Sequence, residues 1–247
     1  MDLRGKTVLV TGGARRIGAA IVRALAAEGA NVVIHCNRSI DAAQALAADL
    51  RRSCAIEAFV VRRDLSEAGA GDSLFDETLE ATGGRLDAIV NSASEYAVSA
   101  AATPSEEELA RAMRMHVDAP VALLRRLAGT AETARKAAVD ILDARIARGD
   151  DKAHAAYMAA KRRLAALSPG LALELAPRVR LNSVAPGAVL EGDGESRAGF
   201  ARLAAFNPMN ALGAPEGLAD CVLFLLRSDF VAGQILFYDG GYHLRQP

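Results

Sequence analysis

The stretch Thr11-Gly-Gly-Ala-Arg-Arg-Ile-Gly18 decides the fold. Ahead of it runs the apolar segment Val8-Leu-Val10, and behind it Ile17 to Glu28 carries Ile17, Ile21 and Leu25 at helical spacing. A buried strand, a glycine turn and a helix that opens at the turn bring free backbone N–H groups and the positive end of a helix dipole to one point. That arrangement suits a phosphate group. Gly12 and Gly18 fit the positive φ and the close strand–helix approach that such a turn requires. Arg16 stands two residues before Gly18, at a position that is often a further glycine in dinucleotide folds.

Outward from this turn, strand and helix alternate. Further strands are predicted at Asn31–His35, Ala58–Val61, Leu86–Val90, Ala137–Leu142, Val179–Val184 and Gln234–Tyr238. Helices are predicted over Ile40–Arg52, Asp72–Thr82, Ser105 to about Leu127, Ala153–Ala176, Ser196–Phe206 and Pro215–Leu226. Ser39 is placed to cap the first of these, and Ser105 with Glu108 forms a capping-box signal. Ser168-Pro169-Gly170 is predicted to interrupt the long helix, since an internal proline removes a backbone bond. With no linker-like segment, residues 1–247 read as a single α/β domain. Its fold is a Rossmann-type doubly wound parallel sheet with helices on both faces. A small substrate region is expected over about residues 188–212, with the polar Glu191-Gly-Asp-Gly-Glu195 closing over the site.

Composition narrows the function. Of 247 residues, 51% are hydrophobic and 24% charged, as in ordinary globular proteins, and the net charge is −1. That balance gives no electrostatic case for nucleic acid or an anionic membrane. No apolar run reaches the ~20 residues that span a bilayer, and the N-terminus lacks a signal-peptide pattern. Cys36, Cys54 and Cys221 have neither disulfide nor zinc spacing. A cytoplasmic, metal-free protein acting on a small molecule is expected.

In such sheets ligands sit at the carboxyl ends of the strands. A fold that selects NAD usually carries an acid at the end of the second strand, bonding the ribose hydroxyls. Here that position reads His35-Cys-Asn37-Arg38-Ser39, with no acid before Asp41. Arg38, Ser39 and a reaching Arg16 suit a 2′-phosphate through charge-assisted bonds, which favours NADPH. The plainer alternative makes Arg38 a solvated loop charge and Ser39 only a helix cap.

Tyr157-Met-Ala-Ala-Lys161 sets a phenol and an ammonium four residues apart on one helix face. A neighbouring lysine lowers a phenol's pKa and improves it as a proton donor near neutrality. Together with the Thr11–Gly18 turn, Asn91-Ser-Ala-Ser94 and Pro186-Gly187 in the same order, this pair makes the chain resemble the short-chain dehydrogenase/reductase family over its whole length. The family's usual serine at the end of the fifth strand is absent from Val139-Asp-Ile-Leu-Asp143-Ala, and Asp143 stands in its place, fourteen residues before Tyr157. Within the family the sequence is most similar to the pteridine reductases, in particular the bacterial dihydromonapterin/dihydrofolate reductase group. The pieces that carry this are Arg16 in its turn, residues 35–39, Asn91 to Tyr96, Asp143, Arg148 to Tyr157 and the ending Asp239 to Arg245.

The resemblance implies NADPH as cofactor, a pterin as substrate and a homotetramer. It implies that Tyr157 donates the proton, Lys161 holds the nicotinamide ribose and Asp143 assists the transfer. Gly12, Arg16, Ile17 and Gly18 would hold cofactor phosphate; His35, Asn37, Arg38 and Ser39 the 2′-phosphate end; Asp64 and Leu65 the adenine. Asn91, Ala93, Pro186 and Gly187 would also bind the cofactor, and Ser94 its phosphate. Arg16, Ser94, Asp143 and Tyr157 would touch the pterin, with Tyr96 stacked on its ring. Several alternatives stay open on the residues alone: Asp140 rivals Asp143, Asp143 has possible ion-pair partners in Arg145 and Lys161, and Tyr96 also reads as a half-buried loop aromatic. His116 sits where the wider family usually has an asparagine, and either relays protons or packs in its helix.

Overall fold

The computed structural model describes residues 1–98, 103–130, 135–148, 153–192 and 196–245. Asp193 to Glu195 of the expected substrate loop, and Gly149 to Lys152, lie outside the described residues.

Seven strands form one parallel sheet: β1 Thr7–Thr11, β2 Asn31–Cys36, β3 Ala58–Arg62, β4 Ala88–Asn91, β5 Lys136–Ile141, β6 Val179–Pro186 and β7 Ile235–Tyr238. Their order is β3-β2-β1-β4-β5-β6-β7, so the direction of winding reverses between β1 and β4. Alternate strand residues feed opposite faces, as the two-residue period requires. Val8, Val10, Val32 and Ile34 enter a core with α1 (Arg16–Ala27), α2 (Ile40–Cys54) and α8 (Pro215–Arg227). Leu9, Val33, Ile89 and Leu181 enter the other, with α3 (Ala70–Thr82), α5 (Ala119–Gly129) and α6 (Ala155–Leu175). Burial on both faces explains why these strands read as continuous apolar runs rather than alternating ones.

The segment after Ser105 forms α4 (Glu106–Met113), one π turn (Arg114–Asp118) and α5. The capping box is present, with Glu108 N–H donating to Ser105 Oγ at 3.2 Å and Ser105 N–H to Glu108 Oε2 at 2.8 Å. The π turn falls just before Pro120, whose ring cannot supply an interior helical N–H. It carries His116 into the interior. Farther on, α7 (Arg197–Arg202) ends in a 3₁₀ turn, Leu203–Phe206, inside the span predicted as one helix.

Two local expectations are corrected. The Ser168-Pro169-Gly170 segment does not interrupt α6, which runs unbroken from Ala155 to Leu175 with Pro169 inside it. The buried stripe Leu164, Ser168, Leu171 and Leu175 continues through this point while Pro169 and Gly170 stay exposed. Burying Leu171 and Leu175 stabilises by roughly 1.5–3 kcal/mol each, enough to offset about 3 kcal/mol for the proline. Ser39 sits at the N-cap of α2 but makes no capping bond with its side chain.

Candidate active site

The reversal between β1 and β4 places the Thr11–Gly18 turn beside the end of β4. Thr11 Oγ1 accepts from Ser92 N–H at 2.9 Å and Ala93 N–H at 3.0 Å, tying the two strand ends together. Gly12 has φ +64°, and a Cβ there would stand 2.8 Å from the Ala93 Cα. At Gly18 a Cβ would stand 2.1 Å from the Gly12 carbonyl oxygen, so the helix meets the turn at a distance only glycine allows. Gly18→Ala is expected to lower stability by about 1–3 kcal/mol through overpacking and to weaken nucleotide binding in parallel. Thermal melting with and without NADPH checks this, and an unshifted melt with full NADPH stabilisation would contradict it. Arg16 takes φ +54°, the left-handed region a glycine at that position would adopt freely. Its guanidinium donates to the Glu191 carbonyl, linking the turn to the segment that follows β6.

At the end of β2, His35 is spent on the backbone. Gly12 N–H donates to its Nδ1 at 3.1 Å, and Nε2 lies 3.0 Å from the Arg63 carbonyl. Burial drives its pKa down to about 4, so the ring is neutral, with the Nε2–H tautomer serving both contacts. Arg38 is exposed, and Asn37 and Ser39 beside it are half-buried. Asp64, after β3, accepts from Ser66 N–H at 2.9 Å and Ser66 Oγ at 2.7 Å, and bonds the Asn37 side chain. Burial alone would raise its pKa, but these bonds hold the carboxyl below the usual range. Leu65 is buried beneath it.

The other half of the site gathers at the ends of β4, β5 and β6. Tyr157 OH donates to Asp143 Oδ2 at 2.9 Å, and Lys161 Nζ donates to the Ile141 carbonyl at 2.7 Å. Arg145 binds the same carboxylate, its Nε donating to Oδ1 at 2.9 Å and its NH2 to Oδ2 at 2.6 Å. Asp143 therefore has both the phenol and the ion pair that the sequence posed as alternatives. Asp140 lies apart, fully buried, its Oδ1 accepting from Asn91 Nδ2 at 2.8 Å. The His116 ring stands edge-on to Tyr157, 5.3 Å between centroids. Tyr96, 46% exposed, stacks on the His154 ring at 3.5 Å and meets Tyr157 edge-on at 5.1 Å. Ser94 is exposed at the rim, and Gly187, half-buried after β6, packs against Asp239, where a Cβ would stand 2.9 Å from its Cα.

The phenol's electrostatics differ from the expectation. Burial pushes the Tyr157 pKa well above 10, and the Asp143 charge pushes the same way. Lys161 does not offset this, because its ammonium is directed to the Ile141 carbonyl and lies 5.7 Å from the phenol ring centre. The i, i+4 spacing put both groups on one face but did not fix where the ammonium points.

A family model described as enoyl-(acyl carrier protein) reductase matches residues 12–243. The chain belongs to the short-chain dehydrogenase/reductase family. It is 32% identical to dihydromonapterin reductase of Escherichia coli O6:K15:H31, across 98% of this chain and 100% of that one. It is 33% identical to 3beta-hydroxysteroid dehydrogenase 1 of Eggerthella lenta, across 98% and 95%. FolM alternative dihydrofolate reductase 1 from Brucella canis, crystallised with NADP, superimposes with a TM-score of 0.92 at 30% identity, covering 100% of this chain and 97% of that one.

In this short-chain reductase the interior around the lysine is rich in titratable groups. Burial lowers Lys161 to about 8 while the Asp143 and Asp140 charges oppose the fall. Complete burial raises Asp140 to about 6, opposed by the Asn91 bond and the Lys161 charge. His116, buried and lowered well below 6.5, contributes no charge at neutral pH. Because the depressed Lys161 loses its proton as pH rises through about 8, kcat/KM is expected to fall there. Asp140→Asn removes a charge that favours the ammonium, so the fall moves to lower pH. An unmoved profile would rule out that coupling.

Sequence reasoning passed over three contributors. Thr11 was legible only as a strand end, and its bracing of residues 92 and 93 depends on sheet register. His154 gave no sign of meeting Tyr96, fifty-eight residues away. Arg145, two residues after Asp143, was visible only as an ion-pair partner.

Proposed function

We propose that the protein is an NADPH-dependent reductase of a dihydropterin, such as dihydromonapterin, dihydrobiopterin or dihydrofolate. The observation that carries this is the Tyr157 phenol donating to the Asp143 carboxylate at the end of β5. A serine there would donate a hydrogen bond to a ketone oxygen. An ionised carboxylate only accepts, so it does not polarise a carbonyl. It does serve a C=N reduction, where a proton must reach a ring nitrogen: Tyr157 gives its phenol proton to that nitrogen, and Asp143 takes a proton from solvent and returns it to the phenolate. The similarity to dihydromonapterin reductase and to FolM supports the same reading.

The glycine cradle supports a dinucleotide, because Gly12 and Gly18 leave backbone where a Cβ would intrude. Gly12, Arg16, Ile17 and Gly18 hold its pyrophosphate, with His35 bracing the turn from beneath. Asn37, Arg38 and Ser39 take the 2′-phosphate, and the Ser39 hydroxyl is not committed to a helix cap. Asp64 and Leu65 face the adenine. Asn91, Ala93, Ser94, Pro186 and Gly187 line the nicotinamide half, with Tyr157 and Lys161 at its ribose. When bound, NADPH supplies the hydride. Arg16 and Ser94 orient the pterin, and Tyr96 offers an aromatic face to it.

A second reading, carbonyl reduction, rests on the identity to the steroid dehydrogenase. Absorbance-monitored NADPH oxidation, with dihydropterins beside a panel of ketones and 3-oxoacyl thioesters, separates the two. Dihydropterin turnover with inert ketones is expected; ketone turnover alone would sink the pterin reading. NADPH binding without any turnover would favour a catalytically silent binder.

A further inference from the structure

A carboxylate has about four lone-pair sites, and at Asp143 all are taken. Arg145 fills three: its backbone N–H at 2.9 Å and Nε at 2.9 Å on Oδ1, and NH2 at 2.6 Å on Oδ2. Tyr157 fills the fourth. The same guanidinium donates from NH1 to Tyr96 OH at 2.5 Å and lies 4.9 Å from the Tyr96 ring centre and 6.0 Å from that of Tyr157. One planar cation thus engages Tyr96, Asp143 and Tyr157, the three residues nearest the proposed proton transfer. It reaches them from the short turn Ala144–Ala147, so the long side chain can swing aside while its backbone N–H stays on Oδ1.

We propose that Arg145 is a specificity-determining residue: it occupies the hydrogen-bonding position of the substrate at Asp143 and Tyr96, and yields only to a flat heterocycle whose N–H groups replace its own. This rests on the pterin reading and deepens it. A guanidinium is a rigid plane of parallel N–H donors that also stacks on aromatic faces. A dihydropterin likewise carries ring and amino N–H donors in one plane, N8–H among them on the ring that is reduced. Exchanging one for the other keeps Asp143 satisfied and the Tyr96 face covered. A ketone brings only an acceptor, so displacing Arg145 would leave a buried carboxylate short of partners. Arg145 therefore rejects ketones by what they fail to replace.

Competition by a resident side chain reduces apparent affinity by the fraction of molecules in which it has moved away. Arg145→Ala should accordingly lower the KM for dihydropterin by about fivefold or more, with a smaller change in kcat. Ethylguanidine should refill the space: calorimetry on the NADPH-saturated variant should show binding, and kinetics should show competition with dihydropterin. The parent protein should show neither at the same concentration. Arg145→Met, which keeps the length of the side chain without its donors, serves if the alanine variant misfolds. A KM that is unchanged or raised in both variants overturns the proposal, since Arg145 then holds substrate or stands outside its path. So does a variant that ignores ethylguanidine. The calorimetry needs no turnover, so its failure counts against Arg145 alone, whereas inert dihydropterin with the parent protein counts against the pterin reading.

Discussion

Replacing Asp143 with alanine is expected to cut dihydropterin turnover by about a hundred- to ten-thousand-fold, the usual contribution of a positioned proton-transfer group. NADPH affinity should stay within a few-fold. The separation follows from where the carboxylate sits. Its oxygens are engaged by Tyr157 and Arg145, and among the described residues its hydrogen bonds do not reach the Thr11–Gly18 turn or the end of β2. Asp143→Asn sharpens the test. An amide still accepts from the phenol and fits the same space, but it neither takes up nor releases a proton at working pH. If the carboxylate moves a proton, both variants lose turnover alike. If it merely orients Tyr157, asparagine retains much of the rate. Stopped-flow NADPH binding beside steady-state turnover reads both quantities, and parallel loss of binding and rate would show that the residue is misassigned.

Arg38→Ala is expected to weaken NADPH by tens of times to roughly a hundredfold, the scale of one or two hydrogen bonds to a charged group at 1.5–3 kcal/mol. NADH should change little, because it lacks the 2′-phosphate. The arginine is exposed just past β2, next to a serine whose hydroxyl does not cap α2, and residues 35–40 hold no carboxylate to repel an anion. Fluorescence titration of both nucleotides gives the ratio. A parallel loss for NADH would mean that Arg38 supports the loop rather than the phosphate.

Much of this site was legible because its residues follow strand ends, and the strand ends were written in short apolar runs closed by Thr11, His35, Asn91 and Pro186-Gly187. The glycine turn was legible through steric necessity, since a Cβ at Gly18 collides with backbone whatever the ligand. Arg16, in place of a glycine, pointed to a specialised branch. What escaped depends on direction rather than position. The Tyr157–Lys161 spacing places two groups on one face without saying that the ammonium turns to the Ile141 carbonyl. His35 carries a polar label, yet register buries it under Gly12, where both nitrogens meet backbone. Pro169 reads locally as a break, but the leucines on the buried face of α6 decide otherwise. Local propensity yields to packing there, as it commonly does.

Hydride from NADPH is expected to end on a pterin ring carbon. NADPH deuterated at the hydride-donating carbon, incubated with dihydromonapterin and the protein, tests it by mass spectrometry of the product. The expected product is a tetrahydropterin carrying one deuterium, formed by the parent protein and lost with Asp143→Ala. Labelled NADPH that leaves the pterin unlabelled, yet places its deuterium on the carbinol carbon of a supplied ketone, would contradict it.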